Sequence, residues 1–441
     1  MNWSRLINDK RLGMEEFHDP RQHIRSDFQR DYDRLVFSSP FRRLQNKTQV
    51  FPLPGSIFVH NRLTHSLEVS SVGRSMANTV YRLLRMKYGA EGEGMEKLSN
   101  IGDIVATACL AHDLGNPPFG HSGEKTISTF FSEGEGIRLR DELSSEEWSD
   151  FVNFEGNANS FRLLTHQFVG RRRGGYAMTY STLASIVKYP YSSRHAGEKG
   201  KFGFFESERA VFEKVALELG MDRRSDGTYM RHPLVWLVEA ADDICYQIMD
   251  LEDAHRLGIL RTEEVMALML AFFPEDRQLS MHRNMQRLDD PNEKIGYLRS
   301  NVIGAMVDEC ARVFVENEEL ILKGDYTPSL VGDMREELRQ AYQGCSDTAY
   351  AKIYNASDVV DIEIAGNRIL TYLLHELMEA VLHPDRNFSR LLLEKVPRQY
   401  DVHAADLYGK VQSVLDHISG MTDVYALDLF RKLNGHSLPA V

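Results

Sequence analysis

Apolar side chains return at helical intervals along most of this chain. Between positions 65 and 87 they recur every three or four residues, which places them on one face of a helix: Val69, Val72, Met76, Val80 and Leu83. Comparable patterns predict helices over 103–113, 208–219, 233–257, 262–273, 292–323, 330–343, 358–383, 388–395 and 403–434. These patterns predict an all-α fold, with helices packed in layers around one large core.

Strand signals are sparse by comparison. The segment QVFPLPGSIFVH, from Gln49 to His60, predicts a minor short β-hairpin with Pro-Gly at its turn. Loops are expected over 91–98, 132–149 and 192–206, and the sequence contains no internal repeat. A chain of 441 residues suits one large domain or two to three smaller ones, and a boundary is expected near 258–262.

Composition narrows the class of protein. A hydrophobic content of 42% and a charged content of 26% are typical of soluble globular proteins, and no apolar run is long enough for a membrane span. The first residues do not resemble a signal peptide. The four cysteines are far apart and are expected to be reduced core residues of a cytoplasmic protein. The net charge of −12 argues against a general nucleic-acid coat but leaves a local basic site open.

Ionisable residues occur at positions where the pattern predicts burial. In LAHDLGNPPFGHSGE (110–124), His112 and Asp113 follow a segment of apolar and small residues. His65 precedes Val69 by four positions and therefore lies on the buried face of its own helix. Burying such groups is costly unless they are paired or bind a metal.

The long helix over 233–257 carries a polar stripe on a mostly apolar surface. The stripe has members three, four, seven and eleven positions apart: Glu239, Asp242, Asp243, Tyr246 and Asp250. It is either a solvent edge or the lining of a wet cavity, and the wide apolar arc favours the cavity. Together, His65, His112, Asp113 and Asp242 offer mixed nitrogen and oxygen ligands, which suit one divalent ion: Mn²⁺, Mg²⁺ or Fe²⁺, with Zn²⁺ also compatible.

These residues and the blocks around them resemble one branch of the HD-domain phosphohydrolases, the deoxyguanosine triphosphate triphosphohydrolase family. Seven blocks stand in the family's order: SPFRRLQNKTQVF (39–51), HNRLTHSLEV (60–69), LAHDLGNPPFGHSGE (110–124), NFEGNANSFRLL (153–164), KYP (188–190), LVEAADDICYQIMDLEDA (237–254) and SGMTDVYALDLFRKL (419–433). The resemblance implies an N-terminal segment at the substrate pocket (1–58), an HD core (59–257) and a C-terminal helical region for base recognition and oligomerisation (258–441).

The reaction implied by the resemblance is hydrolysis of dGTP or another dNTP at the α-phosphate, which yields a deoxynucleoside and inorganic triphosphate. His121 and Glu124 are three residues apart and share a face at a helix start. The carboxylate can orient the imidazole, so the pair is a candidate proton-transfer dyad that activates water or protonates the 5′-oxygen. The alternative is that Glu124 favours its helix N-terminus and His121 is a surface residue.

The resemblance also implies substrate contacts. Arg62, Lys188 and Tyr189 would contact the phosphates, and Lys201 would add a further cation. Tyr246 would lie against the deoxyribose, where a 2′-OH would clash. The remaining sugar and polar contacts are Gln49 and Asp250 at the 3′-OH, and Asn157. The base preference stays open, with Arg386, Arg390 and Arg431 available to read the base.

Family members form homo-oligomers, so a tetramer or hexamer is expected, and a nucleotide or single-stranded DNA is a candidate effector. Two alternatives to the dNTP reaction remain. One is another HD phosphohydrolase acting on nucleoside monophosphates, cyclic dinucleotides or guanosine polyphosphates. The other is a non-catalytic nucleotide-sensing or DNA-binding protein, which the complete ligand set and the His121–Glu124 dyad argue against.

Overall fold

The computed structural model describes residues 1–16, 25–51, 59–89 and 94–436. Its α-helices are, in chain order, α1 Trp3–Leu6, α2 Asp27–Val36, α3 Ser39–Arg43, α4 Arg62–Tyr88, α5 Met95–Leu98, α6 Ile101–Ala111, α7 Gly120–Ser132, α8 Ser145–Val152, α9 Gly156–Thr165, α10 Tyr180–Ile186, α11 Arg209–Leu219, α12 Val235–Arg256, α13 Thr262–Leu270, α14 Glu275–Met285, α15 Pro291–Glu316, α16 Glu318–Lys323, α17 Glu336–Lys352, α18 Ser357–Leu382, α19 Asn387–Leu393, α20 Leu407–Ser419 and α21 Asp423–Leu433. Short 3₁₀ helices span Leu44–Asn46, Glu135–Glu142, Ser193–His195, Gly197–Lys199 and Glu206–Glu208.

The predicted all-α class is confirmed, and β structure in the described part of the chain is limited to isolated bridges. The hairpin predicted over 49–60 falls mainly on 52–58, which lie outside the described residues. The chain on either side of that gap is joined by an antiparallel bridge between Thr48 and Asn61. Among the described residues, no helix combines the length and apolar character needed to cross a bilayer.

Several predicted boundaries were wrong because capping signals override periodicity. The loop expected over 132–149 contains a 3₁₀ helix and the start of α8, which Ser144 begins with a capping box to Glu147. The single helix expected over 403–434 is two helices, since Asp406 caps α20 and Thr422 caps α21. Helix α14 was missed altogether.

Helices α4, α6 and α12 form the part of the core that positions the site. Asn61 begins α4 with a capping box to Thr64, and this fixes His65 in the first turns of the helix. Helix α6 crosses α4 closely at Gly73, where a Cβ atom would lie 2.6 Å from the Cys109 sulfur. Helix α12 packs against both, and α15 covers α4 and α12. The four cysteines are buried and unpaired.

The C-terminal helices pack on the same core from another side. Helix α18 lies against α7, and it allows close contact at Gly366, where a Cβ would meet the Phe119 ring at 2.7 Å. Helix α20 is tied to α9 by a buried ion pair, in which Arg162 donates to both carboxylate oxygens of Asp416 at 2.9 and 2.8 Å. The C-terminal half therefore contacts the helices that hold the candidate site.

Candidate functional site

Four of the predicted metal ligands meet where α4, α6 and α12 converge. The ligand atoms of His65, His112 and Asp113 lie within 4.8 Å of one another, and all three residues are buried. Asp242 Oδ1 lies 3.0 Å from His65 Nε2 and 3.5 Å from His112 Nε2. Two ligand atoms that each lie roughly 2.1 Å from one metal ion are separated from each other by about 3 to 4 Å. His65, His112 and Asp113 could therefore hold one metal ion, and Asp242 lies against both imidazoles of this group.

The hydrogen bonds of His112 orient it for such a role. Its Nδ1 donates to the Cys109 carbonyl at 2.6 Å, which leaves Nε2 directed at Asp113 and Asp242. Burial disfavours the charged imidazole, but the charges of Asp113 and Asp242 outweigh it and raise its pKa to about 9. For Asp242, burial is again opposed, here by the two imidazoles, and its pKa lies well below the ordinary value. The cluster is thus a strongly coupled set of charges.

Arg62 connects the cluster to the turn before α7. Its Nη1 donates to Asp113 Oδ2 at 2.8 Å, and Asn116 donates to the other carboxylate oxygen at 2.6 Å. Burial opposes ionisation of Asp113, but the Arg62 and His112 charges outweigh it and lower its pKa. Gly120 has a positive φ of 60°, and a Cβ there would lie 2.5 Å from Arg62 Nη2. A side chain at this position would displace the arginine.

The predicted dyad lies in the first turn of α7. His121 Nδ1 is 3.2 Å from Glu124 Oε2, and the imidazole is 74% exposed whereas the carboxylate is buried. The other Glu124 oxygen accepts the Gly156 amide at 2.8 Å. The hydrogen bond and charge of Glu124 raise the pKa of His121. The Gly156 amide thus fixes the buried carboxylate, and the imidazole bound to it projects toward solvent.

Lys201 and Asn157 lie beside this dyad, both tied to a residue that the sequence analysis did not single out. Glu155 accepts Lys201 Nζ at 2.5 Å and Asn157 Nδ2 at 2.6 Å. Lys201 Nζ is also 3.7 Å from Glu124. Glu155 stands within the NFEGN block, so the block itself was the available signal.

Two tyrosines and an aspartate extend the site along α12. The Tyr246 ring lies 6.5 Å from His65 and 6.0 Å from Tyr354, which the sequence analysis missed. The Tyr354 hydroxyl donates to Asp250 at 2.9 Å. Asp250 is buried, which raises its pKa to about 8, although the Tyr354 bond acts in the opposite direction. Tyr354, which follows α17, therefore covers the Asp250 end of the stripe, whereas the Asp242 side chain is 35% exposed.

Gln49 and Lys188 belong to other segments of the chain. Gln49 Oε1 is buried without a hydrogen-bond partner among the described residues, so it is a free acceptor. Lys188 Nζ pairs with Glu239 at 3.0 Å, one turn before Asp242 on α12, and Arg231 shares that carboxylate at 2.8 Å. Lys188 and Tyr189 line a cavity of about 270 Å³.

The three arginines that are available to read the base lie in the C-terminal helical region. Arg386, the N-cap of α19, pairs with Glu379 of α18, and Arg390 pairs with Asn387 within α19; both arginines are exposed. Arg431 is exposed on α21. Within this chain, none of the contacts described for these side chains reaches the four-ligand cluster.

The fold and the cluster define an HD-domain phosphohydrolase. The HD domain family matches residues 62–188, and the phosphohydrolase-associated domain family matches 332–432. The chain is 38% identical over 449 residues to a deoxyguanosinetriphosphate triphosphohydrolase-like protein of Pseudomonas aeruginosa, covering all of both chains. A protein of that description from Synechocystis is 38% identical over 453 residues, with 99% of this chain and all of the relative covered.

A deoxyguanosinetriphosphate triphosphohydrolase of Yersinia enterocolitica is 30% identical, with 92% of this chain and 93% of the relative covered. The chain belongs to the deoxyguanosinetriphosphate triphosphohydrolase-like family, and it is a hydrolase. The expected family and reaction class are therefore confirmed.

Proposed function

We propose that this protein is a metal-dependent dNTP triphosphohydrolase. Its substrate is dGTP, with the other dNTPs as further candidates, and its products are a deoxynucleoside and inorganic triphosphate. The supporting observation is the contact chain from the cluster to the dyad. Asp113 binds Arg62, Arg62 lies against the backbone of Gly120, and His121 follows directly. Charge stabilisation and proton transfer can thus act on one phosphate.

His65, His112, Asp113 and Asp242 would hold one divalent ion: Mn²⁺, Mg²⁺ or Fe²⁺, with Zn²⁺ also compatible with the donor set. When bound, the ion supplies positive charge that polarises a phosphate oxygen. Arg62 is already engaged by Asp113, so its remaining N–H groups are the ones free to meet phosphate oxygens.

The dyad performs the proton transfer. Hydrolysis adds water at the α-phosphorus and breaks the bond to the 5′-oxygen, so one proton leaves the water and one reaches the deoxynucleoside hydroxyl. His121 is the group that moves one of these protons, and Glu124 orients its ring. The buried Glu124 carboxylate also stabilises the imidazolium that forms during transfer.

The rest of the substrate fits the surrounding side chains. Gln49 Oε1, a buried acceptor without a partner among the described residues, and the Asp250 carboxyl would bind the 3′-hydroxyl. Tyr246 would pack on the sugar face and exclude a 2′-hydroxyl. The phosphate tail would be bound by cations and polar groups around the cluster: Arg62, Lys188, Tyr189, Lys201 and Asn157.

The regional roles are also proposals. Residues 1–58 would complete the pocket through Gln49, 59–257 would form the catalytic core, and 258–441 would serve base recognition and assembly. A cytoplasmic homo-oligomer, a tetramer or hexamer, is the proposed state, with a nucleotide or single-stranded DNA as effector. Light scattering coupled to size-exclusion chromatography measures the assembly directly, and a monomer at micromolar concentration would contradict it.

The decisive experiment is a product assay. Purified protein is incubated with each of the four dNTPs and GTP, in Mn²⁺, Mg²⁺, Fe²⁺ or a chelator, and the phosphate products are separated. We expect inorganic triphosphate with a divalent metal and none with the chelator. Orthophosphate or pyrophosphate as the sole phosphate product would refute the proposal. His112→Ala should abolish turnover and metal binding, whereas His282→Ala, on the exposed face of α14, should retain both.

A further inference from the structure

One of the seven family-like blocks, SGMTDVYALDLFRKL, has no role in the reaction described so far. Its Asp423 is the first residue of α21 and is 7% exposed. Helix α21 does not need this carboxylate as its cap, because Thr422 already accepts the Tyr425 amide. The Asp423 oxygens instead bind two other segments of the chain.

Asp423 uses one oxygen for each segment. Oδ1 accepts the Phe119 amide at 3.0 Å, and Oδ2 accepts both the amide and the hydroxyl of Thr48, at 2.8 and 2.6 Å. Phe119 is the N-cap of α7, with a positive φ of 64° and no capping side chain of its own. A carboxylate at this position also complements the positive end of the α7 dipole.

A buried lysine joins the same three segments a second time. Lys47 precedes Thr48, and its Nζ donates to the carbonyls of Asn116 at 2.5 Å and Ser419 at 2.7 Å. Asn116 binds the candidate ligand Asp113, and Ser419 ends α20. The turn before α7 and the segment carrying Gln49 are therefore both anchored to the C-terminal helices.

Each anchored segment ends beside a proposed functional group. His121 follows Phe119 by two residues, and Gln49 follows Thr48 directly. We propose that Asp423 is a positioning residue that sets the His121–Glu124 dyad relative to the four-ligand cluster and Gln49 relative to the sugar pocket. This role rests on the proposed dNTP hydrolysis. Misplacing a reacting group by about 1 Å can reduce a rate by about 100-fold.

Asp423→Asn tests the bidentate role with little change of shape. An amide retains one acceptor but turns the other oxygen into a donor, which cannot face an N–H group. If the amide carbonyl of the substituted side chain faces Thr48, both hydrogen bonds from Thr48 are preserved. The hydrogen bond from the Phe119 amide is then the one that is lost. We expect kcat for dGTP to fall about 10-fold or more, with KM and Mn²⁺ affinity within twofold of wild type.

Thr48→Val tests the other arm, because it removes only the hydroxyl bond. We expect KM to rise roughly 5-fold while kcat stays within twofold. The matched control is Asp428→Asn, the same substitution on an exposed residue of α21, which should change neither constant. Thermal melting establishes that each variant is folded. Unchanged kcat in a folded Asp423→Asn, or unchanged KM in Thr48→Val, would overturn the positioning role.

Amide hydrogen exchange separates this inference from the proposed function. In Asp423→Asn, peptides covering 117–121 should exchange about 10-fold faster than in wild type and in Asp428→Asn. Unchanged protection there would overturn the anchoring of the turn, whatever the substrate. A wild-type protein that releases no triphosphate from any dNTP would refute the proposed function, and the exchange result would still decide the role of Asp423.

Discussion

The Asp250 carboxyl should cost the protein stability at neutral pH while serving the substrate. It is 4% exposed, and burial raises its pKa to about 8, with the Tyr354 hydroxyl acting in the opposite direction and Asp253 reinforcing the increase. An unfolded aspartate has a pKa near 3.9. The folded chain therefore binds this proton more tightly, and stability is lost progressively as pH rises from about 4 to about 8.

The size of this loss follows from the pKa difference. At pH 7 the pH is about three units above the pKa of an unfolded aspartate. Each unit changes the free energy of unfolding by about 1.36 kcal/mol, so the stability lost at pH 7 is at most roughly 4 kcal/mol. Asp250→Asn retains the shape and the acceptor for Tyr354 but cannot ionise. We expect the variant to match wild type near pH 4 and to exceed its free energy of unfolding by a few kcal/mol at pH 8.

Urea unfolding followed by circular dichroism from pH 4 to 9, with metal chelated throughout, measures this difference. Asp428→Asn, on the surface, should shift the unfolding free energy by less than about 0.5 kcal/mol. The substitution should also lower kcat/KM for dGTP, because the proposed acceptor for the 3′-hydroxyl is lost. An Asp250→Asn protein that is no more stable than wild type at pH 8, or whose advantage is larger at pH 5, would refute the reasoning.

Three further changes have defined outcomes. Glu124→Gln removes the group that raises the pKa of His121, so the limb of the kcat–pH profile that reports His121 should move to lower pH. If the limb that moves is the rising one, His121 acts as a base, and if it is the falling one, His121 acts as an acid. A profile in which neither limb moves would contradict the dyad. Asp416→Asn breaks the buried bidentate pair with Arg162 and should lower the free energy of unfolding by about 3 kcal/mol in urea titrations, whereas a loss below about 1 kcal/mol would show that the pair is dispensable. Tyr246→Ala should raise GTP turnover relative to dGTP in the product assay, and an unchanged ratio would remove Tyr246 from sugar discrimination.

The ligand cluster could be anticipated because local periodicity determines which way a helical side chain points. His65 lies on the buried stripe of α4, so its direction followed from the pattern, whereas Asp242 lies on the polar stripe of α12, which the pattern left open between a solvent edge and a cavity. The sequence did not show how closely α4 and α6 approach. That closeness depends on Gly73 facing Cys109, which no pattern within one helix reveals.

The missed residues act over long separations in the chain. Tyr354 reaches Asp250 from 104 positions away, and Asp423 reaches Phe119 from 304 positions away. Neither lies in a motif whose spacing specifies its partner, and the periodicity of α21 makes Asp423 look like an ordinary first-turn acid. Such pairs are set by the packing of whole helices, so a single sequence predicts the elements without their contacts.

The anchoring of the α7 turn by Asp423 also has a consequence for biosynthesis. Residues 65, 112, 113 and 242 leave the ribosome well before residue 423, so the nascent chain contains its candidate metal ligands long before Asp423 can anchor the turn beside them. Domains fold as units during synthesis, N-terminal first. A half-made chain would therefore carry the four candidate ligands without the carboxylate that anchors the turn, so the proposed dyad can be positioned only after translation has reached α21.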